Sequence, residues 1–214
     1  MEIIAIEAGP ILTNTYLIID QESKKAVVID APMDSVELIK PIIEDKMLDV
    51  VAILLTHTHW DHAADTDALK KLYNAKVYVH QSDEFRLLEP NENSVFPLPF
   101  DIPSTKADHY INDNEIISFG NTELKVLTTP GHTEGGLCFY NESAGVLFSG
   151  DTIFRESIGR IDLPGGSLEK IAKSIKEKLL VLDDSTKVLP GHGPSTTIGY
   201  ERKNNPFFRE MGIV

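Results

Sequence analysis

Three histidines and an aspartate fall within six residues at His57-Thr58-His59-Trp60-Asp61-His62. Imidazole and carboxylate are the side chains that bind borderline metal ions or move protons near neutral pH. A metal site, a proton relay and a solvated polar turn are all consistent with such a cluster, so its context has to decide. The run at 50–55, Val-Val-Ala-Ile-Leu-Leu, reads as a buried strand, which places the cluster at a strand's carboxyl end, where open α/β sheets bind ligands. If the backbone stays extended there, His57 and His59 project to the same side, because side chains alternate along a strand. Asp61 and His62 follow where the chain turns toward a helix expected over 63–74. Four donors so close suit two adjacent metals better than one, although Asp61 could instead cap that helix.

The same pattern of apolar strand, small residues and metal-type donor recurs in LKVLTTPGHT, GVLFSGDT and KVLPGHGP, supplying His132, Asp151 and His192. Each lies beside glycine (Gly131, Gly150, Gly191 and Gly193), which permits a sharp turn and close backbone approach. Five of the seven histidines therefore share one chemical setting. His80 and His109 lack it and read as surface or loop residues, with support of a ligand from behind as the alternative for His80. Five imidazoles and two carboxylates without a thiolate suit zinc, and iron and manganese are compatible.

Runs rich in Val, Ile and Leu predict strands at 3–7, 15–19, 26–29, 50–55 and 76–79, then at 115–119, 123–128, 137–140, 146–149 and 187–189. Between them, Val36, Ile39, Ile42, Ile43 and Met47 recur at helical spacing behind an Asp34/Ser35 cap, with Pro41 expected to kink the helix. Further helices are expected over 63–74 and 168–180. Strands and helices in both halves imply an α/β protein with two sheets and helices outside them, in one domain spanning 1–214. The segment 89–110 fits no element and carries Pro90, Pro97, Pro99 and Pro103 with Phe96 and Phe100. A stretch of that length is either a lid over a site or a packed surface excursion.

With 33 acidic against 20 basic residues the net charge is −13, which opposes non-specific binding to nucleic acid or anionic membrane and favours a small-molecule substrate. No run of 18 uncharged apolar residues and no basic, apolar leader occurs at the start, so a cytoplasmic chain without a membrane span is expected. The single cysteine, Cys138, lies among apolar residues and reads as a packing residue.

The HxHxDH hexapeptide followed by a later His, Asp and His resembles the metallo-β-lactamase superfamily over nearly the whole chain. The resemblance implies an αββα sandwich of two mixed β-sheets flanked by helices, with a dinuclear site in the groove between the sheets. It implies further that His57, His59 and His132 hold one metal, Asp61, His62 and His192 the other, and that Asp151 bridges them. The segments SGDTIFRESIGRIDLPGG and PGHGPSTTIGYERKNNPF are similar to the glyoxalase II (hydroxyacylglutathione hydrolase) group, and in particular to its short bacterial members. That implies a metal-dependent hydrolase that cleaves a thioester such as an S-acylglutathione by attack of a metal-bound hydroxide, with Asp61 and Asp151 in catalytic roles. Arg160 and Arg209 align with basic contacts of the long enzymes, whereas Asp162 and Pro194 stand where those enzymes carry tyrosines. Arg160, Asp162 and Arg209 are accordingly the candidate substrate contacts, with surface ion pairs as the alternative for these arginines and for Arg155. Trp60 either walls the substrate groove or packs in the core. The loop Gly159-Arg160-Ile161-Asp162 is also similar to that of mononuclear iron persulfide dioxygenases in the same superfamily, which supplies the alternative function.

Overall fold

The computed structural model describes residues 1–94 and 96–213. In the first half, strands β1 (Glu2–Ala8), β2 (Thr13–Ile19), β3 (Lys25–Ile29), β4 (Asp49–Leu54), β5 (Lys76–Val79) and β6 (His109–Tyr110) form a six-stranded sheet in that order. β1 to β3 pair antiparallel and β3 to β6 parallel. In the second half come β7 (Ile116–Phe119), β8 (Thr122–Thr128), β9 (Leu137–Asn141) and β10 (Val146–Gly150), a small hairpin of β11 (Ile153–Phe154) and β12 (Ser157–Ile158), then β13 (Lys187–Pro190) and β14 (Thr196–Thr197). The second sheet has the order β14-β13-β10-β9-β8-β7, parallel only between β10 and β13.

Strand periodicity builds the layers. On β2, Tyr16 and Ile18 enter a cluster with Val27, Ile29, Phe139 and Phe148 that fills the space between the sheets. The alternate residues Leu17 and Ile19 face the other way, against Ile39, Ile43 and Leu69 of the outer helices α1 (Ser35–Lys46) and α3 (Thr66–Tyr73). On the far side, Cys138 and Leu147 pack on Ile171, Ile198 and Phe208 of α5 (Leu168–Ser174), α6 (Ile198–Asn204) and α7 (Pro206–Glu210). Two short helices complete the set, α2 (Trp60–Ala63) and α4 (Glu84–Leu88). The result is helix, sheet, sheet, helix, the sandwich that the resemblance implies. Among the described residues no helix is long and apolar enough to cross a membrane.

Every predicted strand is present to within two residues at each end, and the differences lie elsewhere. The helix expected over 63–74 is two helices, and the first begins inside the histidine motif at Trp60. Asp34 does not cap α1; it adopts φ 65° without a side-chain bond. The capping acceptor is Asp65, whose Oδ2 receives the Val36 N–H at 3.0 Å and the Ser35 hydroxyl at 3.3 Å, so the cap comes from a sequence-distant turn. The helix at 168–180 changes to a π-helical turn over Ile175–Leu179. The segment expected to be irregular to residue 110 ends in β6, where His109 stacks on Tyr78 with ring centroids 4.7 Å apart.

At the end of the sandwich near the β2–β3 turn, Asp20 links the two sheets. Its carboxylate accepts the Ser23 N–H and hydroxyl, and across the seam the Asn121 N–H and Thr122 hydroxyl, at 2.8–3.0 Å. Gly120 makes that approach feasible, since a Cβ there would lie 2.2 Å from Ser23 Oγ and 2.6 Å from Asp20 Oδ1. The Ser23 N–H and hydroxyl, followed by Thr122 and Asn121, hold the Asp20 pKa at about 2. A carboxyl depressed in the folded state stabilises fully above its unfolded pKa of about 3.9, and that stability is lost as the pH falls toward the folded value. Asp20→Asn is therefore expected to lower Tm at pH 7, with the gap to wild type closing between pH 4 and pH 2. Equal melting curves at pH 7 would show that this link does not couple the sheets.

Candidate metal centre

Donors arrive at one end of the sandwich from the carboxyl ends of strands in both sheets. β4 leads to His57, His59, Asp61 and His62, β8 to His132, β10 to Asp151 and β13 to His192. The alternation expected for His57 and His59 produces convergent rings with centroids 4.8 Å apart. The structure brings all seven residues together. His57, His59 and His132 can each offer one atom within 4.8 Å of the others, as can Asp61, His62 and His192, and as can His57, His62 and Asp151.

Partners fix the ring orientations. His132 Nδ1 lies 2.8 Å from the Arg160 carbonyl oxygen and must donate to it, which leaves Nε2 as a lone pair 3.0 Å from His59 Nδ1. His62 Nδ1 donates to Asp30 Oδ2 at 2.8 Å, which turns its Nε2 toward Asp61 Oδ2 at 3.4 Å, Asp151 Oδ1 at 3.3 Å and His192 Nε2 at 3.3 Å. His57 Nδ1 lies 3.1 Å from the Thr56 hydroxyl, which itself donates to Asp30. His57 Nε2 and Asp151 Oδ1 are buried and have no hydrogen-bond partner. Imidazole nitrogens and carboxylate oxygens converging within ligand distance of one another, with buried atoms among them lacking a partner, are the chemistry of a cation site, so the residues fit a pair of divalent metals.

The electrostatics divide the site. Burial, reinforced by the neighbouring imidazoles, pushes His57 far below the usual histidine range and His59 to about 3. Burial opposes charge at His62 as well, but Asp151, Asp61 and Asp30 outweigh it and push that pKa well up. Asp61 and Asp151 sit below the ordinary carboxylate value because the surrounding histidines overcome burial. One half thus offers neutral imidazoles and the other carries paired charge.

Asp30 is the residue that the sequence reading missed. It bonds His62 directly and His57 through Thr56, and also accepts the Thr56 N–H at 2.8 Å, so one buried carboxylate orients a ligand in each half. The signal was present, since VVIDAP is another apolar strand ending in a donor. Asn14 was missed too; its Nδ2 donates to the Pro190 and Gly193 carbonyls at 2.9 and 3.0 Å and holds the His192 turn. At Gly191 in that turn, a Cβ would lie 2.2 Å from Asp151 Oδ1 and 2.6 Å from His62 Cε1; glycine is required there by the close approach. Asp61 caps no helix by its side chain; it accepts the Thr13 hydroxyl at 3.4 Å.

The remaining candidates are dispersed. Arg160 lines the groove above the donors, and its guanidinium binds Asp162 at 2.8 and 2.7 Å. Arg209 lies on α7, donates to the Lys203 carbonyl and is not part of the groove wall. Arg155 stacks over the Tyr200 ring. His80 caps the short 3-10 helix Gln81–Asp83 through Nδ1 rather than supporting a ligand. Trp60 lines the groove. Within segment 89–110, Asn91 and Ile102 hydrogen-bond in both directions and Ser104 donates to the Leu88 carbonyl. That pinned excursion presents Pro90, Asn93, Ser94, Phe96 and Pro103 to the groove, so it is a packed excursion and a groove wall at once.

The sequence profile of the metallo-beta-lactamase superfamily matches residues 8–192. The chain belongs to that superfamily. Its fold is accordingly the metallo-β-lactamase fold. A relative named probable metallo-hydrolase YqgX from Bacillus subtilis is 37% identical over 96% of both chains. Another, hydroxyacylglutathione hydrolase GloC from Haemophilus influenzae, is 36% identical over 91% of this chain and 92% of its own. Among solved structures, BLEG-1 B3 metallo-beta-lactamase is 36% identical with a TM-score of 0.87, covering 96% of this chain and 99% of its own. TTHA1623, solved in a di-iron-bound form, is 33% identical with a TM-score of 0.81 over 95% and 99%.

Two outcomes follow from these contacts. Asp30→Ala is expected to weaken metal binding about 10–100-fold, as loss of a ligand's hydrogen-bond partner does in other metal sites, measured by competition with a chromogenic chelator. Unchanged affinity would remove Asp30 from the site. Cys138 is fully buried, and burial pushes its thiol up to about 11. At pH 8 it is expected to resist Ellman's reagent in the folded protein and to react in full in denaturant.

Proposed function

We propose that this superfamily member is a two-metal hydrolase that cleaves a small thioester, such as an S-acylglutathione. The observation that carries the proposal is the complete second donor set, Asp61, His62 and His192, beside His57, His59 and His132, with Asp151 grouped with His57 and His62 as the residue that would be shared by the two metals. The name of the Haemophilus influenzae relative supports the thioester. Two divalent cations, when bound, polarise a carbonyl and lower the pKa of a shared water from about 15.7 toward 7. Zinc suits this donor set, and iron and manganese are compatible.

The protein's own groups do the rest. Asp61 has its carboxyl held below the ordinary value against the opposing effect of burial, by the His62 and His192 rings beside it. Its Oδ2, 3.2 Å from His192 Nε2, can accept a proton from the attacking water and orient it, while the Thr13 hydroxyl bonds the same oxygen. Asp151 is the other carboxylate held ionised at the floor of the groove. A thiolate leaves without a strong general acid, since its conjugate acid has a pKa of about 8.5. Arg160 borders the groove with its guanidinium bound by both oxygens of Asp162. Arg209 would reach a substrate only beyond the groove.

One observation favours a second reading. The structure of ETHE1 from Myxococcus xanthus is 26% identical with a TM-score of 0.79, covering 96% of this chain and 84% of its own. It keeps a mononuclear iron persulfide dioxygenase, sharing the loop at 159–162, as the alternative. Elemental analysis of protein purified without added metal, followed by thioester and oxygen-uptake assays on that sample, separates the two. The hydrolase reading expects close to two metals per chain and thioester cleavage, with His59→Ala and Asp151→Ala each lowering kcat/KM by more than about 100-fold, beyond the loss typical of outer contacts. One iron per chain with oxygen consumed on glutathione persulfide would replace it.

A further inference from the structure

Above the seven donors the groove encloses about 480 Å³, within the range of small-molecule sites, and its walls are chemically one-sided. Ile11 comes from the β1–β2 turn, Trp60 from between two ligands, Leu87 from α4, Phe154 from the β11–β12 hairpin and Leu163 from the loop beyond it. The Trp60 ring is braced by Phe100, with centroids 5.6 Å apart at 58°, which presents an aromatic surface beside His59 and Asp61. Ile11 is 49% exposed although it overlooks a groove already rich in apolar atoms, and such a contiguous surface marks a binding site.

The charges in the groove are already engaged. Arg86 is buried, and its guanidinium meets Asp83 at 3.3 Å, Glu134 at 2.7 Å and the Pro164 carbonyl at 3.2 Å. Arg160 is held by both oxygens of Asp162. Among the described residues these are the only lysines or arginines lining the groove, and its two carboxylates, Asp61 and Asp151, lie among the donors. A tripeptide carrier with two carboxylates would have to displace Asp162 to gain a single cation, on a chain of charge −13.

We propose that the groove takes the acyl half of the thioester as an aromatic or branched apolar group against Trp60, and that the carboxylates of the thiol carrier go unrecognised. This rests on the thioester reading above and adds the substrate class. A single methylene in an apolar pocket gives roughly 10–200-fold discrimination, so a phenylacetyl group should exceed acetyl by at least about 10-fold.

Trp60 is the only tryptophan, so its emission reports binding independently of turnover. With zinc-loaded protein, the non-cleavable thioether S-(2-phenylethyl)-N-acetylcysteamine is expected to bind at least about 10-fold more tightly than the S-ethyl form. The matching S-(2-phenylethyl)glutathione should bind within about threefold of it, as expected when no ion pair is gained. In turnover, kcat/KM for phenylacetyl over acetyl N-acetylcysteamine should follow the same ratio. Trp60→Ala should bring that ratio close to unity and Trp60→Phe should restore most of it, which a general loss of folding would not do. Equal binding of the two thioethers, or glutathione forms preferred by more than about 10-fold, would overturn the proposal. Selective thioether binding without cleavage of any thioester would uphold the apolar subsite and overturn the hydrolase reading beneath it.

Discussion

Five imidazoles and two carboxylates are packed so closely at one end of this sandwich that their lone pairs face one another, in surroundings that give them few other partners. Asp61 Oδ2 and Asp151 Oδ1 both lie within 3.4 Å of His62 Nε2, and Asp61 lies 3.2 Å from His192 Nε2. Burying carboxylates together is costly unless positive charge lies between them. The histidines supply part of it, but His57 and His59 are driven to the neutral form and contribute lone pairs only. Divalent cations would satisfy both halves at once, and their binding would then stabilise this end of the fold, because an unfolded chain holds no preformed site.

The rest of the architecture is arranged to keep that convergence fixed. Asp30, His57, Asp151 and His192 all lie within three residues of the carboxyl ends of strands, two in each sheet, so the site spans the seam and is only as rigid as the seam itself. Phe139 and Phe148 fill the space between the sheets, and Asp20 binds them through Asn121 and Thr122. Near the site, Asn14 and the Tyr16 hydroxyl, both on β2, reach the Pro190 carbonyl at 2.9 and 2.6 Å. One strand of the first sheet thereby holds the His192 turn of the second.

How much of this was legible depended on whether the determining interactions were local. Apolar runs long enough to show a period gave every strand of four residues or more, because the alternation of Leu17 and Ile19 against Tyr16 and Ile18 is written directly into the chain. Two-residue strands such as β6, β11 and β12 carry no period and escaped notice; tertiary pairing alone makes them. The α1 cap failed for the same reason. Asp34 has the right side chain in the right place, but Asp65 reaches the first turn from a distant loop and takes the role. His132, Asp151 and His192 are readable because each follows a strand beside glycine, and the other four donors because they crowd one hexapeptide. Asp30 also follows a strand, at φ 59°, but with neither a glycine beside it nor a histidine near it in the chain its signal is weaker.

A division of labour between floor and walls explains why such a centre can be recognised more readily than its substrate. The donors are set by strand ends, which tolerate little change: at Gly191 even a methyl group would strike Asp151 and His62. The walls come from a turn, a hairpin and the excursion after α4, segments in which side chains vary with little effect on either sheet. Trp60 belongs to both groups. Its backbone is held between the donors His59 and Asp61 in the first turn of α2, while its ring lies with Phe100 on the groove wall. Substrate preference at that position can change without moving the donors on either side, since the side chain and the ligand-bearing backbone answer to different constraints. Arg160 shows the same arrangement: its carbonyl orients His132 whatever its guanidinium binds. Residues of this kind, with backbone in the centre and side chain in the wall, are where one metal site acquires a particular substrate.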